Sequence, residues 1–247
     1  MAETLNISNF PEIQSSEDNQ KIPFVLIHGW GLNSAVWQPL IDSFTDEFFN
    51  VFNVVTIDLP GFGMNVKKEI RPYILSNICQ RITDTISQPA IYLGWSLGGL
   101  VATEMALKHP NKVLGLITVA SSPRFLEEIS QDDGPNLVCW PGIKQTVLNA
   151  FHQQLKVDIK KTISGFLKIQ AMGSPHIRQD IKRITTLVFQ QEMASKDTLD
   201  LSLQLLESSD HRKQLSAITQ PFFRLYGDAD SLVPLTLIHI SEPKRPY

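Results

Sequence analysis

Five short apolar runs recur along the chain, each ending in glycine, proline or a small polar residue. They are IPFVLIHGWG (22–31), VFNVVTIDLPGFG (51–63), AIYLGWSLGG (90–99), VLGLITVASSP (113–123) and PFFRLYGDADSLVP (221–234). Hydrophobicity that is continuous rather than alternating predicts strands covered on both faces. Helical periods fall between them, over 35–49, 74–87 and 97–109. Strand–helix alternation implies a mostly parallel sheet with right-handed crossovers. Residues 124–213 read differently. They show no strand pattern, and IKQTVLNAFHQQL, DIKKTISGFLKIQAM and SPHIRQDIKRITTLVFQQ space apolar residues three or four apart. A helical insertion between two sheet strands is expected, with QDDGPN (131–136) as a loop at its entrance. The expected organisation is an α/β core over 1–123 and 214–235, a helical lid over 124–213 and a separate tail over 236–247. No internal repeat or low-complexity segment is present.

Composition narrows the class. At 247 residues, 43% hydrophobic and 19% charged, the chain suits one large α/β domain. A net charge of -3 points away from nucleic acid and anionic membrane surfaces. Cys79 and Cys139 are isolated, which predicts neither a disulfide framework nor a zinc site and fits a reducing cytoplasm. The opening MAETLNISNFPEIQ lacks the basic and apolar regions of a signal peptide. No apolar run is long enough to span a bilayer. The expectation is a cytoplasmic chain.

The candidate chemistry starts at Gly94-Trp95-Ser96-Leu97-Gly98, a G-x-S-x-G string between an apolar strand and a helix. A sharp strand-to-helix turn exposes the serine hydroxyl above the sheet edge and needs small neighbours. It also sets Ser96 at a helix N-terminus, where free N–H groups and the dipole favour a developing oxyanion. The alternative is a serine that merely caps the helix. Oxyanion donors are expected from the N–H of Leu97 and, in the HGWG loop, the N–H of Trp30. Trp30 also fits a core aromatic or a pocket wall, and His28 is expected to bond within its own loop. The triad acid should follow a late strand. Asp230, just before LVP, fits best, and Asp228 is expected to cap a turn.

The base is missing from this pattern. Seventeen residues follow Asp230, and His239 comes nine residues after it, too soon for an intervening helix and strand. His109 reads as a helix C-terminus. His152, His176 and His211 read as surface residues in or beside the insertion. The closing LIHISEPKRPY resembles a translated sequencing-library adapter, which would leave the chain about one strand and one helix short.

A wider set of strings, HGWGLNSAVW, DLPGFG, LGWSLGGLVA, VASSP, WPGIK, FLKIQAMG, RQD and RLYGDADSLVP, runs in order over residues 22–234. Together they resemble the BioH family of pimeloyl-acyl-carrier protein methyl ester carboxylesterases, within the α/β-hydrolase superfamily. The resemblance implies a serine esterase of biotin synthesis that releases methanol and needs no cofactor or metal. It implies Ser96 as nucleophile, Asp230 as acid, and Trp30 and Leu97 as oxyanion donors. Phe166, Leu167, Lys168, Ile169 and Gln170 would line an acyl channel with Trp30, Ser96 and Leu97. Lys161, Arg178 and Lys182 match positions that grip the carrier protein, while Gly165 stands where another basic residue is expected. The family's triad histidine has no counterpart, so this chain is expected to turn over poorly.

The charges support carrier docking independently. Lys160, Lys161, Lys168, Arg178, Lys182 and Arg183 concentrate positive charge that would steer an acidic carrier. A solvated helix face is the plainer alternative. The expected partner is an acyl-carrier protein bearing the substrate, with no nucleic acid or membrane and with a monomeric chain. Two other functions remain open. One is a general short-chain carboxylesterase or thioesterase on the same fold, and the other is a non-catalytic acyl-binding protein.

Overall fold

The computed structural model describes residues 4–12, 21–129, 138–172, 176–228, 230 and 232–235. QDDGPN, His239 and the whole of 236–247 lie outside these. Each of the five apolar runs forms a strand: β2 (Ile22–Ile27), β3 (Phe52–Ile57), β4 (Ala90–Trp95), β5 (Val113–Val119) and β8 (Phe222–Leu225). With β1 (Ile7–Phe10) they make one six-stranded sheet in the order β1-β3-β2-β4-β5-β8. All its pairings are parallel except β1 with β3, where Ile7 lies opposite Ile57 and Phe10 opposite Val54. The pattern of apolar runs missed β1, because ISNF is a four-residue half-buried edge strand with no long run to see.

Helices α3 (Leu75–Thr85) and α4 (Leu97–Lys108) cover one face of the sheet. Every residue of α4 from Leu97 to Ala106 is buried, since the helix lies against β4 and β5 on one side and α3 on the other. The other face is covered by a 3-10 turn (Ser34–Trp37), α1 (Gln38–Ile41) and α2 (Asp46–Val51). The single helix expected over 35–49 is therefore broken. Thr45, extended, accepts a bond from Phe48 N–H and starts a new helix there. Phe24, Phe44, Phe48 and Phe52 pack together beneath it, with Phe44 and Phe48 stacked at 4.2 Å.

Between β5 and β8 the described residues form a small strand pair, four α-helices and a 3-10 turn (Leu215–Ala217). The strand pair corrects the expectation of a strand-free insertion: β6 (Glu128–Ile129) pairs antiparallel with β7 (Val138–Trp140). Strands of two and three residues carry too few positions for a period to register. The helices are α5 (Gln145–Val157), α6 (Ile159–Gln170), α7 (Ile177–Val188) and α8 (Lys196–Ser208). α5 buries Leu148, Phe151 and Leu155, and α8 buries Leu199, Leu203 and Leu206, both at helical spacing. α7 buries only Val188. Among the described residues no helix is long and apolar enough to cross a membrane. Among the described strands β8 lies last in the sheet, with Phe223 65% and Leu225 54% exposed.

Candidate active site

Ser96 joins β4 directly to α4 at φ 54 and ψ −116, a conformation that costs an L-residue roughly 1–3 kcal/mol. Close packing of backbone on backbone holds it there. A Cβ at Gly94 would run into the backbone of Gly98, and one at Gly98 into the carbonyls of Ile27 and His28. The two glycines flanking Ser96 thus let α4 approach the ends of β2 and β4 more closely than any side chain allows. Ser96 N–H donates to Val119 O at 2.9 Å, and Ser121 Oγ donates to Ser96 O at 2.8 Å, so β5 buttresses the turn. The side chain makes no capping bond, and its hydroxyl is buried without a hydrogen-bond partner among the described residues. That geometry opposes the helix-cap reading. Leu97, the first residue of α4, has an N–H with no acceptor inside the helix.

The loop after β2 lies against this turn. A Cβ on Gly29 would stand 3.4 Å from Ser96 Cβ. Leu32 N–H donates to Gly29 O at 3.3 Å and Gly31 sits at φ 73, so residues 29–32 form a turn whose closing bond uses the Leu32 N–H and not that of Trp30. His28, fully buried, fixes the start of the loop. Its Nε2 accepts the Leu59 N–H at 3.0 Å and its Nδ1 faces Gly29 O at 2.8 Å. An acceptor at Nε2 and a donor at Nδ1 define a neutral imidazole, and burial lowers its pKa against the opposing pull of Asp58. His28 thus bonds within its own loop through Nδ1, as expected, while Nε2 reaches outside it to Leu59 after β3. Asp58, in DLPGFG, is a hub that pattern reading passed over. Its carboxylate accepts from Ser34 N–H, Ser34 Oγ and Met64 N–H.

Trp30 is 1% exposed and is a core aromatic as well as a loop residue. Its ring lies 5.0 Å from that of Phe166 and 6.3 Å from that of Phe151, and its Nε1 donates to Leu199 O at 3.0 Å. Of the predicted channel residues on α6, Phe166 and Leu167 are buried at 3%, Ile169 and Gln170 are half-buried, and Lys168 is exposed. Only Phe166 among these five makes ring contact with Trp30. Lys161 on α6, and Arg178 and Lys182 four residues apart on α7, are exposed. At Gly165 a Cβ would meet nothing within 4 Å, so the space for a larger side chain is open.

Asp230 follows β8 at the same carboxyl edge of the sheet, two strands from Ser96. Its Oδ1 accepts the N–H groups of Leu232 at 2.8 Å and Val233 at 3.1 Å. Burial raises its pKa while those two bonds oppose the shift. Asp230 thus caps the turn that follows it, and Asp228 is exposed.

The other described histidines make no bond to Ser96 Oγ. His109 ends α4, bonding through its N–H to Met105 O, and His176 stands at the N-terminus of α7. Two assignments to the surface need correction. His211 is 5% exposed and its Nε2 lies 2.7 Å from Glu104 Oε2, a bond that holds the Glu104 carboxyl below its ordinary range. His152 is half-buried between Asp200, 2.6 Å from Nδ1, and Glu207, 3.2 Å from Nε2. Each lost solvent to a tertiary partner more than 45 residues away, which no local pattern encodes. No described histidine reaches Ser96 Oγ.

A family model described as alpha/beta hydrolase fold matches residues 22–241. The pimeloyl-acyl-carrier protein methyl ester esterase of Edwardsiella ictaluri is 41% identical over 214 residues, covering 87% of this chain and 77% of that protein. The enzyme of the same name from Vibrio atlanticus is 43% identical over 211 residues, covering 85% and 77%. Among solved structures, an esterase from Exiguobacterium antarcticum superposes with a TM-score of 0.74 at 22% identity, covering 96% of this chain and 82% of its own. A bromoperoxidase from Bacillus anthracis gives 0.71 at 18% identity, covering 90% and 81%. At such identities the structural likeness speaks for the fold alone.

Proposed function

The chain belongs to the pimeloyl-acyl-carrier protein methyl ester esterase family of α/β hydrolases, and from that premise we propose that its site is built to hydrolyse the methyl ester of a pimeloyl chain held on an acyl-carrier protein. One observation carries the reading: a buried serine hydroxyl without a partner among the described residues, on a strained turn at the start of a buried helix. Ser96 Oγ would attack the ester carbonyl. The N–H groups of Leu97 and Trp30 would hold the tetrahedral oxyanion, methanol would leave, and water would release the free acid. Asp230 is the acid that would orient a histidine base. Trp30 and Phe166 would form the wall of the acyl channel, with Leu167, Lys168, Ile169 and Gln170 continuing it. α5–α8 would act as a lid over that channel. Lys161, Arg178 and Lys182 would receive the acidic carrier, and Gly165 would leave one contact unmade.

A second reading has its own support. No described histidine reaches Ser96, and the alternative this favours is a chain that binds the acyl-carrier ester and holds it without efficient turnover. Loss of a triad member typically costs several orders of magnitude in rate. The test is the purified 247-residue chain supplied with the carrier-bound methyl ester and, separately, with a short-chain methyl ester. The proposal expects binding of the carrier-bound ester, slow hydrolysis, and no hydrolysis by Ser96→Ala. Hydrolysis that survives Ser96→Ala rules out this nucleophile. Preference for the short ester, with no carrier binding, points to a general esterase.

A further inference from the structure

The loop 29–33 is held from outside the sheet by three of the four helices that follow β5. The Trp30 indole donates to Leu199 O of α8. Ile163 of α6 fills the space beside Gly31, where a Cβ would stand 2.9 Å from its Cγ1. The tie to α7 is Asn33. This side chain is 3% exposed, and its Nδ2 donates to the carbonyl of Val188, the last residue of α7, at 2.9 Å. Its Oδ1 accepts the Ala35 N–H at 3.2 Å and so caps the 3-10 turn that continues the loop. One buried amide therefore joins the end of α7 to the segment that carries the Trp30 N–H. Val188 O lies at the helix end, without an intrahelical donor, and accepts the Asn33 amide together with the Gln191 N–H at 3.3 Å. Losing the bond would leave the buried Asn33 amide without this acceptor, a cost that makes the link hard to relax gradually. Elsewhere α7 meets the core through Ile184, partly buried, and through Phe189 just beyond its end. Val188 is its only buried residue, and it rests on Ser34–Trp37 and α6.

We propose that Asn33 is a positioning residue that couples α7 to the candidate oxyanion loop, so that an acidic carrier seated on α7 tightens that loop before chemistry begins. The proposal rests on the docking reading above, in which Arg178 and Lys182 on the exposed face of α7 receive the carrier. A partner that restrains the helix restrains the loop through the Nδ2 bond, a coupling of mobility that needs no large displacement.

Hydrogen exchange on the full chain, with acyl-free carrier protein as the probe, tests this without any dependence on turnover. An acyl chain would touch the loop directly, so the carrier must be empty. Carrier should slow exchange in 177–188 and also in 29–35, by about fivefold or more, the range of ordinary couplings between sites. Two variants separate the link from the cap. Asn33→Ser retains an oxygen for Ala35 N–H but is too short to reach Val188 O, and Asn33→Asp retains size and cap but loses the donor. In both, slowing in 177–188 should persist while slowing in 29–35 is lost. Slowing in both segments that survives in both variants would overturn the role of Asn33; a merely structural residue would give this, with faster exchange in the free protein alone. Slowing confined to 177–188 in the unaltered chain would overturn the coupling and leave docking intact. No slowing in 177–188 would overturn docking, and the coupling with it.

Discussion

His28 makes the candidate oxyanion loop sensitive to acid. Its imidazole is fully buried and neutral, with Nε2 accepting from the Leu59 backbone, and burial lowers its pKa from 6.5. In the unfolded chain the same group titrates at its ordinary value. Between the lowered folded pKa and 6.5 the unfolded state therefore holds a proton that the folded state lacks. Stability rises with pH through that window and is level above it. The slope cannot exceed about 1.4 kcal/mol per pH unit for one group. Acidification from 6.5 to 5.5 should thus cost up to about 1.4 kcal/mol, or about 3–6 °C in Tm for a domain of this size. Other shifted carboxyls act lower. The stability from Glu69 and Glu104, both lowered from 4.5, is present above 4.5 and lost only as pH falls through their folded values. Asp230, raised from 3.8, acts in the opposite sense, since its stability is lost as pH rises through its folded value. Denaturant melts from pH 7.5 to 5.5 on the unaltered chain and His28→Gln isolate the effect. Glutamine can still accept from Leu59 N–H but cannot titrate. The unaltered chain should lose stability relative to the variant below 6.5, and parallel curves would refute the reasoning.

Phe166→Ala removes the ring between Trp30 and Phe151, and large-to-small truncation of a buried aromatic costs about 3–5 kcal/mol, or roughly 6–20 °C in Tm. A negligible shift in a thermal melt would show that the three rings are not one packed unit. Gly98→Ala directs a Cβ into the carbonyls of Ile27 and His28, so it should exceed the ~1–3 kcal/mol usual for overpacking. Gly165→Ala, in a helix with open space beside it, should instead stabilise by ~0.5–1 kcal/mol. Equal melts for these two variants would contradict the packing at the turn. Arg178→Glu together with Lys182→Glu should slow association with the carrier protein and flatten its dependence on ionic strength. Association by the unaltered chain that is insensitive to salt would argue against a basic docking face.

Much of the core was legible because its strands are buried on both faces and therefore read as unbroken apolar runs. Glycine at 94 and 98 around Ser96 was legible for a related reason. Backbone packed on backbone admits no other residue, so the constraint is written directly in the string. β1 and the β6–β7 pair were not legible, being short and only partly covered. The break at Thr45 was present in the sequence as a capping residue but was masked by the apolar period across 35–49.

The roles of buried polar groups followed another rule. His211 and His152 looked like surface histidines because their partners, Glu104, Asp200 and Glu207, are far away in sequence. Asn33 reads as an ordinary loop residue until the end of α7 arrives beside it. By itself the sequence determined the five parallel strands of the sheet, the serine turn and its glycines, because steric exclusion and strand burial act on neighbouring residues. Only the tertiary structure decided which histidines are sequestered and which helix grips the loop beside Ser96. Those outcomes depend on desolvation and on hydrogen bonds between segments that meet only when the chain has folded.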